Sequence, residues 1–471
     1  MKFSPLIWAT PALAAVLPHV PTAGELLEAV DQVLFPADHD SSIFSITEGF
    51  NELLGGWGGI CSLVATPEGQ DDTDNIERLF QRCGKNSIVT LPSERYNITR
   101  PLTLHLENMY VSIKGWLSFS SDNIDSWIEK SYVFPFQDQR LAFIIEGHDF
   151  VIDGHGTGGI DGNGQAWYDW AEGVGNKHGR PIAMTLKGVR NGVVNGFQII
   201  QPQLWAHLVW DSANIVYDKC YVNATNFNTK ALTWAHSGLQ NTDGINTYRS
   251  RNVAVSHFVY QGGDDCIALK PNSTEIALND IRCHGGAGIA FGSIGQYAGT
   301  TDIIRNVAMS NLHLSPSSQD QLYHGVYFKS WVGVEVGKPP NGGGGGAGWC
   351  KNVSISHVHV DDAIHPIALT SSLTYLEDEH GKYKDTSVFK WSHINFTDFS
   401  GTSRGNRVVW MDCSAAMPCH KFNFTHINIV PGRQDIPDIG YVCNNVHKVV
   451  GDMPDCHPSD SDEETDAGGT V

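Results

Sequence analysis

The chain has 471 residues, 41% of them hydrophobic, and 31 basic against 51 acidic side chains give a formal charge of −20 at pH 7. It carries no basic patch to displace counterions from phosphates, which excludes nucleic acid as a partner. The same charge opposes long-range attraction of a polyanion at neutral pH, so an acidic polysaccharide would need an acidic medium and locally placed cations.

The chain opens as a secretory signal. Lys2 precedes a largely apolar run over residues 3–17, and Ala12-Leu13-Ala14 offers a small-x-small cleavage site. The expected layout is a signal over 1–23, cleaved between 14 and 24, one domain over 24–456 and an acidic solvated tail over 457–471. The apolar run is too short to span a bilayer, so a secreted, soluble, monomeric protein without membrane contact is expected. Six sequons, at Asn97, Asn223, Asn272, Asn352, Asn395 and Asn423, agree with export. The cysteines suggest local pairs Cys61–Cys83, Cys266–Cys283, Cys413–Cys419 and Cys443–Cys456, leaving Cys220 and Cys350 unassigned. No Cys-x-x-Cys occurs, so neither zinc nor thioredoxin-type chemistry is expected, and no metal or organic cofactor is implied.

Residues 71–80 read as a helix, with Asp72 or Thr73 as its polar cap and Ile76, Leu79 and Phe80 on one face. It would close the open end of an apolar core. From about residue 190 a pattern recurs in which asparagine or another polar residue precedes alternating apolar positions. Examples begin at Asn214, Asn252, Asn306 and Asn352. Alternation with β-branched residues means strands, punctuated by glycine and asparagine turns. Short strands of this kind build either a sandwich or a stacked solenoid. Repeat intervals of roughly twenty to forty-five residues fit an all-β, right-handed parallel β-helix with variable loops on one face.

Two motifs stand out: Asn241-Thr242-Asp243-Gly244 and Gly263-Asp264-Asp265-Cys266. Coils of a solenoid stack about 4.8 Å apart, so Asp243 and Asp264, about one coil apart in sequence, come to lie side by side. Three crowded carboxylates cannot all ionise freely, and repulsion raises one pKa. Acid–base hydrolysis of a glycosidic bond needs such a set. In a regular strand Asp264 and Asp265 would face opposite ways. Gly262-Gly263 permits a turn that brings both to a cleft; otherwise one points inward. The five glycines after Asn341 form a flexible loop; without a following Gly-Lys-Ser/Thr they are no phosphate cradle.

These motifs resemble the blocks of glycoside hydrolase family 28, the polygalacturonases. Asn241-Thr242-Asp243 matches the first block and Gly263-Asp264-Asp265-Cys266 the second. The third follows Cys283 as Gly286-Ala287-Gly288, and Tyr327-Phe328-Lys329 lies on the fourth. The resemblance, from about Gly58 to Cys456, implies a parallel β-helix and hydrolysis of pectic polysaccharide with inversion. It also implies Asp264 as general acid, Asp243 and Asp265 as the pair activating water, and Lys329 as a substrate contact, with Asn241, Tyr327 and His284 as further candidate contacts.

The chain departs from the family pattern where a histidine becomes Ala287 and an arginine becomes Tyr327. Tyrosine cannot pair a galacturonate carboxylate bidentately, but it can stack on a sugar. His284 or His324 is placed to compensate. The stretches Gly292-Ser293-Ile294-Gly295-Gln296-Tyr297 and Lys329-Ser330-Trp331-Val332-Gly333 look most like an exo-acting fungal branch, whose groove must be closed at one end. Segments 314–325 and 332–349 are candidates for closing it. Trp205, His207 and Trp210 either line the site or pack inside. The expected activity is release of galacturonate from non-reducing ends. A rhamnogalacturonan exo-hydrolase or α-L-rhamnosidase is the alternative, since rhamnose beside the scissile bond needs no arginine. A calcium-dependent lyase and an inactive pectin-binding protein are further alternatives.

Overall fold

The computed structural model describes residues 59–67, 69–433 and 440–451. The expected signal, the acidic tail and Cys456 lie outside them. The alternating segments form parallel strands, each paired with the strand one coil onward, and the coils wind into a right-handed β-helix. Register stacks like on like: Val253 beside Ile276, Ile276 beside Val307, Val307 beside Val353, Val353 beside Ile394, and Ile394 beside Phe422. All of these are buried. Each such side chain contributes about 1.5–3 kcal/mol on leaving water. Phe396 stacks on Phe424 with ring centroids 4.8 Å apart, the coil spacing itself.

The recurrent asparagines mark a bend, at the start of strands Ala213–Asp218 and Arg251–Gln261 and within strands Thr301–Ser315 and Ala347–Ala363. Asn214, Asn252, Asn306 and Asn352 all have φ between 54° and 60°, a conformation asparagine tolerates better than most side chains. An amide both donates and accepts, so these residues also bond one another between coils. Asn252 Nδ2 donates to Asn214 Oδ1 at 2.8 Å, and Asn214 Nδ2 to Asn191 Oδ1 at 2.8 Å.

The N-terminal cap is a helix over Thr73–Cys83 that buries Ile76, Leu79 and Phe80, starting two residues later and ending three later than expected. Asp72 is its N-cap residue without capping through its side chain. Its carboxylate instead accepts from the backbone of Thr66 and Asn97, while Asp71 accepts from Thr73 N at 2.9 Å. Cys61–Cys83, Cys266–Cys283 and Cys413–Cys419 are bridged as expected. Cys443 is disulfide-bonded too. Cys220 and Cys350 are buried free thiols.

One departure from the solenoid matters for function. Tyr132–Phe134 and Gln139–Leu141 form an antiparallel hairpin, joined in parallel by Pro181–Ile182. Phe134, Phe136, Leu141 and Ile182 pack with Leu204, Trp205 and Leu208 in an apolar cluster of their own. The hairpin precedes the coil that bears Asp243 in sequence, and its Phe136 packs on Tyr248 and Tyr297 with ring centroids 4.7 and 5.8 Å apart.

Candidate active site

Strand Ile245–Tyr248 pairs with Ile267–Leu269, Ile245 opposite Ile267. Continuing that register backwards makes Asp265, rather than Asp264, the direct coil neighbour of Asp243. Gly244 N donates to Asp265 O at 3.0 Å and Ile245 N to Cys266 O at 3.1 Å. Asp264 reaches the same space from the turn between strands Arg251–Gln261 and Ile267–Leu269. Oxygens of the three carboxylates lie within 4.8 Å of one another. The turn is held by Tyr260, whose hydroxyl accepts from Asp264 N at 3.1 Å and donates to backbone carbonyls. Gly263 is required by space, since a Cβ there would sit 2.5 Å from Leu239 Cβ. Gly286, at φ +72°, lets the next coil approach Asp264, where a Cβ would meet its carbonyl at 2.1 Å.

The three carboxyls are all buried, yet they differ in ionisation. Burial, then repulsion from Asp264, pushes Asp243 well above the ordinary carboxyl range, against Lys270 and Lys329. Burial would raise Asp264 too, but Lys329, His236, the Asn241 N–H and Lys270 outweigh it and hold it low. Asn241 N donates to Asp264 Oδ2 at 2.7 Å, and Asp265 N donates to Asp264 Oδ1 at 2.8 Å. Asp265 is clasped by Lys329, whose Nζ lies 3.0 and 3.1 Å from its two oxygens. The crowding expected to raise one carboxyl therefore acts on Asp243, while Asp264 is held low.

Asn241, Asp243, Asp264, Asp265 and Lys329 line one pocket with Trp205, Gln137, Asn176 and Tyr375. Tyr327 lies beside them, its ring 5.3 Å from Lys329 Nζ. His284 does not line the pocket; its Nδ1 bonds Ser315 Oγ at 2.9 Å. His324 stacks on Tyr327, centroids 3.9 Å apart. Burial, then His365 and Lys329, hold it well below the usual imidazole value, so it supports that ring without supplying the missing charge. His207 is an interior residue, packed edge-on against Tyr217 and held at about 3 by burial. Trp210 packs on Phe134 at 4.9 Å, behind the pocket wall. Of the two segments expected to close the groove, 332–349 reaches the pocket through Pro340. Segment 314–325 instead packs on His236, with Asp320 Oδ2 3.2 Å from His236 Nδ1.

Sequence reasoning missed Lys270, His236 and the hairpin residues. Lys270 Nζ lies 3.5 Å from Asp265, 3.8 Å from Asp243 and 5.0 Å from the Trp205 ring centroid. Alternation carries the signal: Ile267 and Leu269 point into the core, so Ala268 and Lys270 face the groove. His236 has no comparable signal, because it sits in a short 3-10 segment, Ala235–Gly238, placed by tertiary contacts.

A buried carboxylate triad with two ammonium groups, set in a groove along a β-helix, defines an acid–base carbohydrate hydrolase. The family model described as glycosyl hydrolases family 28 matches residues 101–452, and the chain belongs to that family. It is 42% identical over 393 residues to "Putative galacturan 1,4-alpha-galacturonidase A" of Aspergillus niger, covering 80% of this chain and 89% of that one. It is 32% identical over 382 residues to "Alpha-L-rhamnosidase rgxB" of Aspergillus niger, covering 81% and 86%. Among solved structures, endo-xylogalacturonan hydrolase from Aspergillus tubingensis superposes with a TM-score of 0.68 at 20% identity, covering 85% of this chain and all of that one.

Proposed function

We propose that the protein is a secreted exo-galacturonidase, releasing single galacturonate units from the non-reducing ends of polygalacturonate. The observation that carries this is a triad pocket walled on one side. Gln137 and Gln139 of the hairpin line it, and Asn176 Nδ2 donates to Asn341 Oδ1 at 2.5 Å, tying two loops together beside it. Gln296 braces that closure, accepting from Gln137 Nε2 at 2.9 Å and donating to Pro340 O and Gly342 O at 3.0 Å. A polymer cannot thread through such a wall, so only a terminus enters. Lys270 and Lys329 supply the local cations that an acidic sugar needs.

Asp264 protonates the leaving oxygen, and Asp243 with Asp265 positions the attacking water. Because Asp243 is pushed up and Asp264 held low, and the triad titrates as one coupled unit, this assignment requires the shared proton to stand on Asp264 when the bond breaks. The sugar then departs with that proton while water, losing one to the ionised pair, attacks from the opposite face. Lys329 neutralises Asp265 throughout.

The likeness to the α-L-rhamnosidase and the tyrosine at 327 favour a second reading, removal of terminal rhamnose. Product analysis at mildly acidic pH separates them. Galacturonate released singly from trigalacturonate is the expected result; release only from rhamnose-ended oligomers would move the assignment.

A further inference from the structure

If only a terminus enters the walled pocket, the rest of the polymer runs on along the β-helix, and the coils that follow Lys329 offer it a path. Register identifies what it meets there. Ala290, Tyr327, Ala368 and Trp410 stand opposite one another on successive coils. Their neighbours Phe328, Leu369 and Met411 are buried in the core, so alternation turns this column outward, onto the groove face that bears Lys329. Two coils, about 10 Å, separate Tyr327 from Trp410, with the small, covered Ala368 at the register position between them. Trp410 is half-buried, its ring 4.9 Å from that of His365. The Arg407 guanidinium sits 5.9 Å from the Trp410 ring. Among the described residues no carboxylate lies within ion-pair distance of Arg407.

An aromatic face beside a guanidinium suits a ring that carries a carboxylate. We propose that Trp410 and Arg407 form a distal subsite for an inner galacturonate unit of the polymer. The site rests on the exo-galacturonidase reading and deepens it, making the enzyme one that favours long chains. With one sugar per coil, the terminal unit occupies the triad pocket and the next lies at Tyr327. A third passes Ala368, and the fourth reaches Trp410.

The test compares Trp410→Ala and Arg407→Gln with the wild type on trigalacturonate and hexagalacturonate. The trimer ends short of the subsite, so its kcat/KM should change less than about twofold in either variant. On the hexamer, kcat/KM should fall about tenfold, through KM. Equal losses on both substrates would show that the residues act through the fold, and no loss on the hexamer would show that the chain does not reach them; either overturns the subsite. Arg407→Gln removes no core atom, so it remains informative if Trp410→Ala folds poorly. Wild-type enzyme that frees no galacturonate from either oligomer would instead sink the activity on which the subsite rests.

Discussion

Asp243 and Asp264 share a pocket and ionise in opposite senses, which allows their roles to be separated. If Asp264 is the proton donor, Asp264→Asn should lose about 10³-fold or more on polygalacturonate, since one positioned acid contributes up to about 10⁴-fold. It should recover most of that on an aryl galacturonide whose phenolate departs without a proton. Asp243→Asn should be crippled on both. Recovery in Asp243→Asn instead would make Asp243, the carboxyl pushed up by burial and repulsion, the donor. Stability follows the same split. Asp243 has its native pKa raised, so its contribution is full below the unfolded value near 3.9 and is lost as pH rises toward the native one. Asp264, with its native pKa lowered, contributes above the unfolded value and loses it as pH falls. Asp243→Asn should therefore melt a few degrees higher than wild type at about pH 7.5 and show little gain at about pH 4. A melting curve unchanged at both pH values would refute the buried repulsion. Lys329→Met removes the nearer of the two ammonium partners of Asp265, leaving Lys270 at 3.5 Å, and should cost up to about 3 kcal/mol in denaturant titration.

At the scale of elements, repetition was legible and interruption was not. A period-2 pattern beginning at Asn214, Asn252, Asn306 and Asn352 states both the strand and its bend, because alternation and the left-handed amide are local properties. The capping helix was legible for the same reason, in the face shared by Ile76, Leu79 and Phe80. The catalytic turn was half legible. Gly262-Gly263 announced a bend, but that Asp265 rather than Asp264 stacks beside Asp243 depends on a 22-residue coil offset fixed by the Ile245–Ile267 pairing. The hairpin of residues 132–141 left no readable trace as a wall, since Phe134 and Phe136 bury themselves against Trp205 and Tyr248 far away in sequence. In the proposed exo-acting reading, that hairpin and the loop around Pro340 set the mode of attack. Replacing residues 338–342 by a two-residue glycine link removes the Asn176–Asn341 tie and the bonds Gln296 donates to Pro340 O and Gly342 O. The variant should add oligomeric products of two or more units and lower the viscosity of polygalacturonate faster per bond cut. Monomer as the sole product would place the barrier in the hairpin alone.

For the whole molecule, the formal charge of −20 and a polyanionic substrate set encounter against capture. Surface charges act over the Debye length, about 8 Å at physiological ionic strength, while Lys329 and Lys270 are buried and little screened. At about pH 7 both partners are fully negative, so salt should chiefly weaken repulsion and lower KM for polygalacturonate. At about pH 4 part of the carboxylate charge on both partners is neutralised, repulsion shrinks, and the salt effect should fade or reverse as the local lysine attraction becomes the dominant electrostatic contribution. Trigalacturonate, with three charges, should show the same sign at smaller amplitude. Initial rates over a salt series at both pH values measure this directly. A KM for the polymer that rises with salt at about pH 7 would mean that the pocket's two cations already govern the approach of the chain. The acidic surface would then be neutral to catalysis rather than a reason for the enzyme to work in acid.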